Sequence, residues 1–236
     1  MTLNVRPQME NGFFAEIYGV DLTRCDDGQF DEILQAHLRH GVIVIRDQVL
    51  SPDQQVAFSR RFGPLSIHVL EEQLLAGYPE ILLVTNKKEK GQYLGIPDLG
   101  RQWHTDQSYQ ETLALGSLLY ILEVPGDGSG DTHFAYMTVA YEALSPDEWE
   151  RLDDVHAEHR NDHKHENFEL SDHRVDRLPG ILHPFVRTHL ETSRKALYLG
   201  VQLVKRIVSI SPDDSAEMLE RLYTHCTQLT FVHRHK

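Results

Sequence analysis

The first third of the chain alternates between two hydrophobic periods. Apolar and β-branched residues cluster at 13–22 and again at 42–45, which is typical of strands. Between these runs, apolar residues recur at helical spacing after Asp26 or Asp27, either of which can cap the helix, and Gly41 is a C-terminal stop. A second helix is predicted over 51–63, because a serine capping box begins it and a glycine ends it. This part of the chain therefore alternates strand and helix.

The remainder is dominated by short apolar runs separated by turn residues, a spacing typical of a β-sandwich or barrel. Two further helices are predicted where Ser145 and Ser211 precede a proline and an acidic residue. We therefore predict a mainly β fold with flanking helices. The predicted strands lie at residues 81–85, 103–109, 116–124, 132–135, 181–188, 196–199 and 229–233.

Two polar segments show neither the helical nor the strand period and are predicted to be mobile loops. Residues 86–101 contain three lysines, three glycines and Pro97. Residues 156–180 are rich in charge and contain several histidines. We favour a solvated insertion over a metal-binding tract there, because the charges are mixed and the spacing is irregular. No repeat or interdomain linker interrupts the chain, so residues 1–236 are expected to form a single domain.

Charge and composition narrow the classes of partner. The chain has 23 Lys plus Arg against 36 Asp plus Glu, a formal net charge of −13, which argues against a nucleic-acid partner. Its apolar runs are shorter than a membrane span, and the N-terminus lacks a signal-peptide pattern, so no membrane partner is expected. Cys25 and Cys226 show no CxxC spacing, which fits a reducing, cytoplasmic location. The sequence leaves the oligomeric state open and is compatible with a homo-oligomer.

The triplet His104-Thr105-Asp106 is the strongest candidate for metal chemistry. On a strand, residues two apart point to one face, so the imidazole and the carboxylate could bind one ion together. With 15 His and 36 acidic residues, chance alone gives about two His-x-acid triplets, and the chain has three. The count therefore decides nothing. Context favours this triplet, because it follows a glycine-containing loop and precedes an apolar run.

For the other two triplets, a hydrogen-bonding or surface role is favoured over metal binding. His156-Ala157-Glu158 opens the polar tract, and His189-Leu190-Glu191 lies in a predicted hairpin turn. A zinc hydrolase is disfavoured, because no further His-acid cluster accompanies His104 at a hydrolase-like spacing. A binding or scaffold protein without catalysis stays open.

Longer stretches resemble the Fe(II)/2-oxoglutarate dioxygenases of the taurine dioxygenase (TauD/TfdA-like) family. The similarity is carried by WHTDQSY and the following run to residue 146, and by HPFVRTHLETSRKALYLG at 183–200. AEIYGVDLT at 15–23 and RRFGPLSIH at 60–68 resemble the same family. The resemblance implies a double-stranded β-helix (jelly-roll) core with helices packed outside. It also implies oxidation of a small organic, anionic substrate with release of succinate and CO₂.

The resemblance also implies roles for individual residues. His104 and Asp106 match the first two Fe(II) ligands, and Thr132 matches the hydroxyl that binds the distal carboxylate of the 2-oxoglutarate cosubstrate. His68 and Tyr109 match positions in the substrate pocket. The substrate itself is not specified, because such pocket walls come from variable loops.

Two features of the family pattern are missing from the sequence. The second iron histidine and the arginine that anchors 2-oxoglutarate are expected in a segment beyond Lys236. His233 and His235 match the approach to that segment, so we expect structural or exposed roles for them. The sequence is thus expected to be a C-terminally truncated dioxygenase. A catalytically inactive jelly-roll relative that acts as a binding or scaffold protein is the alternative.

Overall fold

The N-terminal region forms a small three-stranded sheet covered by a helix. The computed structural model describes residues 3–68, 71–97, 99–161 and 180–236. Strands β1 (Asn4–Pro7) and β2 (Ala15–Tyr18) are antiparallel, and β3 (Ile43–Ile45) pairs parallel to β2. Helix α1 (Asp27–His40) connects β2 to β3. This crossover explains the strand and helix alternation in the sequence.

Capping residues set the limits of these helices. The Asp26 side chain accepts the backbone N–H of Gln29, whose own side chain accepts the N–H of Asp26, and Gly41 ends α1 at φ +72°. Helix α2 (Pro52–Ser59) begins with the same reciprocal arrangement and continues as a 3₁₀ turn over Arg60–Phe62. The predicted helices at 26–41 and 51–63 are therefore confirmed.

The middle and C-terminal parts are built from short strands and three further helices. Among the described residues the chain has fourteen strands and five α-helices. The sheets outside the N-terminal region have the orders β4-β5, β6-β7, β14-β8, β10-β9-β13 and β11-β12. The remaining elements are β4 (Leu74–Leu75), β5 (Tyr78–Leu82), β6 (Lys88–Glu89), β7 (Gln92–Tyr93), β8 (Thr132–Ala135), α3 (Met137–Glu142), α4 (Pro146–Leu152), β9 (His156–His159), β10 (Ile181–Pro184), β11 (Val186–Thr188), β12 (Lys195–Leu197), β13 (Val204–Ile207), α5 (Pro212–Cys226) and β14 (Val232–His235).

The larger hydrophobic core lies between the C-terminal strands and helix α5. Ala157 of β9, Ile207 of β13 and Leu222 of α5 are buried in it, together with Phe185 between β10 and β11. A second cluster, centred on Ile33 of α1, packs beneath the N-terminal sheet. The first of these cores includes Leu197 of β12 and Leu199 just after it, so it anchors the chain on which the site described below rests.

Strand β14 returns to pair with β8 and closes a third, aromatic cluster. The His233 ring stacks on Phe14 with centroids 4.0 Å apart, and His235 lies 5.2 Å from the same ring. Arg234 binds the carboxylate of Asp131 at 2.7 Å. The two histidines thus make packing contacts, in agreement with the structural role expected for them.

Two of the predicted strands are wrong. Residues 103–109 form an irregular stretch that ends in a turn, with Gln107 at φ +53°. Residues 116–124 are not assigned to a strand, and Leu118, Leu119 and Leu122 are exposed. An apolar run becomes a strand only when a neighbouring strand completes its hydrogen-bond ladder. Within the described part of the chain, no strand pairs with residues 116–124.

The predicted loops are only partly irregular. The segment 86–101 contains the β6-β7 hairpin, and 156–180 begins with strand β9, which pairs with both β10 and β13. Residues 162–179 of that second loop lie outside the described residues. Within the described ranges, no helix combines the length and the apolar character needed to cross a membrane.

Candidate active site

The segment that contains the His-x-Asp triplet rests on the chain that leaves β12. The backbone N–H of Gln202 donates to the carbonyl of Trp103 at 3.4 Å. Gly200 lies directly under the triplet, since a Cβ built on it would stand 2.9 Å from the Cα of His104. Only a residue without a side chain fits this close approach. The triplet is therefore held against the C-terminal core.

The side chains of His104 and Asp106 meet although their backbone is not a strand. His104 Nε2 lies 3.2 Å from Asp106 Oδ1. The opposite ring nitrogen, Nδ1, lies 2.7 Å from the carbonyl oxygen of Gln102, to which it donates. Asp106 Oδ2 accepts a hydrogen bond from the hydroxyl of Ser117. The carboxylate side chain is 53% exposed and the imidazole 28%, so the pair is accessible from solvent.

The two groups stabilise each other's charged form. The hydrogen bond to Asp106 raises the pKa of His104, outweighing the opposite effect of burial. The hydrogen bond to His104, helped by the one from Ser117, lowers the pKa of Asp106 against its burial. Each of these shifts favours the charged form of its own group.

Two of the predicted substrate residues lie beside this pair. The charge of Asp106 acts on the imidazole of His68, although burial has the larger effect and lowers the pKa of His68. Ser66, two residues earlier, donates to the side chain of Gln107 at 3.0 Å. Tyr109 is buried. Burial is the largest influence on the pKa of its hydroxyl and raises it.

The position of Thr132 is set by strand β8. Thr132 begins β8, and the next residue, His133, packs edge-on against Trp103 with ring centroids 6.4 Å apart. Successive strand residues point to opposite faces, so Thr132 shares the face of Phe134, which packs on Phe14. Among the described residues, no hydrogen bond joins Thr132 to His104 or Asp106. Its role in binding 2-oxoglutarate stays a prediction.

The other two His-x-acid triplets make local contacts. Glu158 binds Arg206 at 2.7 Å within the sheet. His189 accepts the backbone N–H groups of Glu191 and Thr192 at 3.2 and 3.3 Å, as expected for a residue in a hairpin turn. Neither triplet presents a free imidazole and carboxylate together.

Two residues of the site have no local spacing that relates them to the triplet, although both lie in stretches that resemble the family. Ser117 binds Asp106 from eleven positions away, and Gly200, in the chain after β12, approaches the Cα of His104. Contacts of this kind follow from the fold and not from a local spacing. Across the described ranges, no group of three or more His, Cys, Asp or Glu side chains is arranged to hold a metal. The triplet thus provides two ligands.

Comparison with known proteins places this chain among dioxygenases. Residues 4–236 match the family model described as "Taurine catabolism dioxygenase TauD, TfdA family". The chain therefore belongs to the TauD/TfdA family, and the resemblance seen in the sequence is confirmed.

Relatives and solved structures agree with this assignment. Pentalenolactone F synthase of Streptomyces arenae is 31% identical over 241 residues, 94% of this chain and 79% of the relative. The alpha-ketoglutarate-dependent 2,4-dichlorophenoxyacetate dioxygenase of Cupriavidus pinatubonensis is 31% identical over 238 residues, 95% of this chain and 82% of the relative. The crystal structure of a taurine dioxygenase from Burkholderia xenovorans superposes with a TM-score of 0.75 at 29% identity, covering 100% of this chain and 76% of that one. The chain is a 2-oxoglutarate-dependent dioxygenase in class.

Proposed function

We propose that this protein uses Fe(II) and 2-oxoglutarate to hydroxylate or oxidatively cleave a small, anionic organic substrate. The observation that carries the proposal is the contact between His104 Nε2 and Asp106 Oδ1 at 3.2 Å, on a surface open to solvent. We further propose that the strands around it belong to a double-stranded β-helix core, as the resemblance to the family implies.

The donor atoms of the pair fit a divalent iron ion. An imidazole nitrogen and a carboxylate oxygen are two of the ligands in a 2-His-1-carboxylate site. The Nδ1–H of His104 is held by the Gln102 carbonyl, which leaves Nε2 as the atom for the metal. Bound iron and 2-oxoglutarate would supply oxidation of the substrate by O₂, with succinate and CO₂ as co-products.

The chain's own groups would orient the carboxylate of Asp106. Ser117 holds one oxygen of Asp106 and leaves the other directed at His104. A metal would be held by Nε2 of His104 and by a carboxylate oxygen of Asp106, because a ligating imidazole binds through an unprotonated ring nitrogen. Thr132 is proposed to bind the distal carboxylate of 2-oxoglutarate.

His68 and Tyr109 supply the groups for a substrate anion. Burial lowers the pKa of His68 and raises that of Tyr109, so it favours the neutral form of both groups beside Asp106. Each side chain can donate a hydrogen bond to a ligand oxygen. An anionic substrate at this site is consistent with the name of one relative, which contains 2,4-dichlorophenoxyacetate.

The decisive experiment measures metal binding and cosubstrate turnover together. Wild-type protein is titrated with Fe(II) without oxygen, and succinate formation from 2-oxoglutarate is then followed with oxygen and candidate aryloxy or sulfonate substrates. His104→Ala and Asp106→Ala should abolish both signals. His156→Ala is the matched control, since it removes the imidazole of another His-x-acid triplet, and should leave both unchanged.

Each result separates the proposal from its alternative. Turnover that survives His104→Ala would refute the ligand assignment. Absence of Fe(II) binding by the folded wild-type protein would support the alternative, a binding or scaffold protein.

A further inference from the structure

An extended apolar run, residues 115–124, has no strand paired with it in the described part of the chain. From 116 to 124 the backbone continues without a turn or bend, a length of about 25 Å at the rise of a strand. Within the described ranges, no hydrogen bond reaches the backbone N–H and C=O groups of this run. A row of such groups is what the edge of a sheet presents to an incoming strand.

The apolar run is anchored to the rest of the molecule at three points. At its centre, the Tyr120 hydroxyl accepts the backbone N–H of Leu50 at 3.0 Å. Towards its ends, Ser117 donates to the carboxylate of the candidate site, and Glu123 pairs with Lys87 at 2.6 Å. These contacts hold the run extended, so a partner does not have to order it on binding.

The side chains of the apolar run are exposed. Every residue from 114 to 125 is exposed except Tyr120. Six residues of the run are large and apolar, and each is 39–78% exposed: Leu115, Leu118, Leu119, Ile121, Leu122 and Val124. Together they present on the order of 600 Å² of apolar surface, the upper end of the range for the largest patch on a typical monomer. A patch of this size indicates a surface that a partner covers.

Area and charge favour a second copy of the chain as this partner. A standard-size interface buries about 800 Å² on each partner, of which roughly 500 Å² is apolar, so the run alone supplies the apolar part. Its only charged residue is Glu123, which is already paired with Lys87, although the whole chain has a net charge of −13. A charged partner therefore finds no complementary charge along the run. The same run on another copy is equally apolar.

The apolar run is also complementary to itself in an antiparallel arrangement. If Tyr120 lies on a two-fold axis, Leu118 of each copy is opposite Leu122 of the other. Apolar side chains then meet on both faces of the paired strands. Glu123 is opposite Ser117 in this register, so the two Glu123 carboxylates are kept apart.

We propose that the apolar run 115–124 is the dimerisation surface of this protein, to which the same run of a second copy adds as an antiparallel strand. The backbone groups of the run form the hydrogen-bond ladder between the copies, and its exposed apolar side chains pack around the ladder. Each copy uses the same surface, so the assembly closes at two copies. This inference goes beyond the proposed function and does not depend on metal or cosubstrate binding.

The first experiment measures association of the full chain by sedimentation velocity, from about 1 to 100 µM. We expect a wild-type dimer with a dissociation constant in the micromolar range. Leu119→Glu and Leu122→Glu each place a charge within the apolar contact and should weaken the dimer about 10- to 100-fold. Leu190→Glu is the matched control, because Leu190 is 93% exposed in the turn between β11 and β12, and should dimerise like wild type.

Hydrogen exchange tests whether the contact is a pair of strands. In the Leu122→Glu monomer the amides of the run should exchange rapidly. In wild type at high concentration, the alternate amides that face the partner should be protected at least about tenfold. Added salt should strengthen the dimer, because each copy carries a net charge of −13 and salt screens the repulsion between them.

The outcomes decide between this dimer and other occupants of the surface. Wild type that stays monomeric overturns the proposal, whether the run then binds phosphatidylcholine vesicles or another protein. A dimer that survives both glutamate variants uses another surface and also overturns it. Equal weakening by Leu190→Glu would have the same consequence, since any added charge would then prevent association. Assemblies that grow beyond two copies contradict the two-fold arrangement. If one glutamate variant does not fold, the other and the exchange of wild type at low and high concentration still decide.

Discussion

The buried imidazole of His159 is predicted to make the protein acid-sensitive. Burial, reinforced by the charges of His183 and Arg187, lowers the pKa of His159 from 6.5 to about 4. The residue is 1% exposed, and neither ring nitrogen has a hydrogen-bond partner among the described residues. The native state therefore holds this ring in its neutral form, whereas the unfolded chain protonates it near pH 6.5.

The size and sign of the effect follow from proton linkage. Between about pH 6.5 and 4 the unfolded state binds more protons than the native state, so stability falls as the pH falls through this window. At pH 5 the unfolded state is almost fully protonated at His159, and the native state is almost fully neutral. The free energy of unfolding should then be about 2 kcal/mol lower than at pH 7.5 from this one group.

The variant His159→Phe isolates this contribution. Phe keeps the ring that stacks on Tyr198 and removes both unpartnered nitrogens, so stability at pH 7.5 should be equal or higher. Urea unfolding of wild type and variant at pH 7.5 and pH 5 gives, for each protein, the change in the free energy of unfolding over this pH interval. The wild type should lose about 2 kcal/mol more than the variant over this interval. Equal losses would show that His159 is hydrated or paired in solution, and the reasoning would be wrong.

Three further substitutions test the site and the fold. Gly200→Ala forces a Cβ to within 2.9 Å of the His104 Cα, so Fe(II) affinity should fall and urea unfolding should show a loss of about 1–3 kcal/mol. Ser117→Ala removes the hydrogen bond to Asp106, and calorimetry with Co(II) should show affinity about tenfold weaker. Ser145→Ala removes the N-cap of α4 and should cost about 1 kcal/mol in urea unfolding.

Matched controls define what would contradict these expectations. Gly126→Ala adds the same methyl group where nothing lies within 4 Å and should change neither affinity nor stability. Unaltered Fe(II) affinity in Gly200→Ala would disprove the close approach. Ser145→Asp keeps a capping oxygen and should retain stability, so a loss equal to that of the Ala variant would remove the capping explanation.

Four of the five helices in the described residues were predictable because their signals are local, whereas α3, whose N-cap side chain makes no capping hydrogen bond, was not predicted. The capping boxes at Asp26, Ser51 and Ser145 each act within four residues, and each begins a helix in the structure. Strand pairing is non-local, so an apolar run does not specify its neighbour. Residues 132–135 form a strand because β14 pairs with them, whereas the equally apolar residues 116–124 have no ladder in the described part of the chain.

The candidate site was predictable only where its residues are close in sequence. The proximity of His104 and Asp106 followed from their spacing, although the predicted backbone was a strand and the structure shows a turn. His68 and Tyr109 were assigned by resemblance to a family. Ser117 and Gly200 reach the triplet through tertiary packing, and no local spacing relates them to it.

The pairing of β8 with β14 also has a consequence for synthesis on the ribosome. Arg234 and Asp131, which join these strands, are 103 residues apart in sequence. At a translation rate of about 10 residues per second, the earlier strand spends roughly 10 s after synthesis without its hydrogen-bonding neighbour. During that interval Phe134 and the adjacent backbone are open to wrong pairing. Nascent chains of this protein should therefore benefit from chaperones until β14 has emerged.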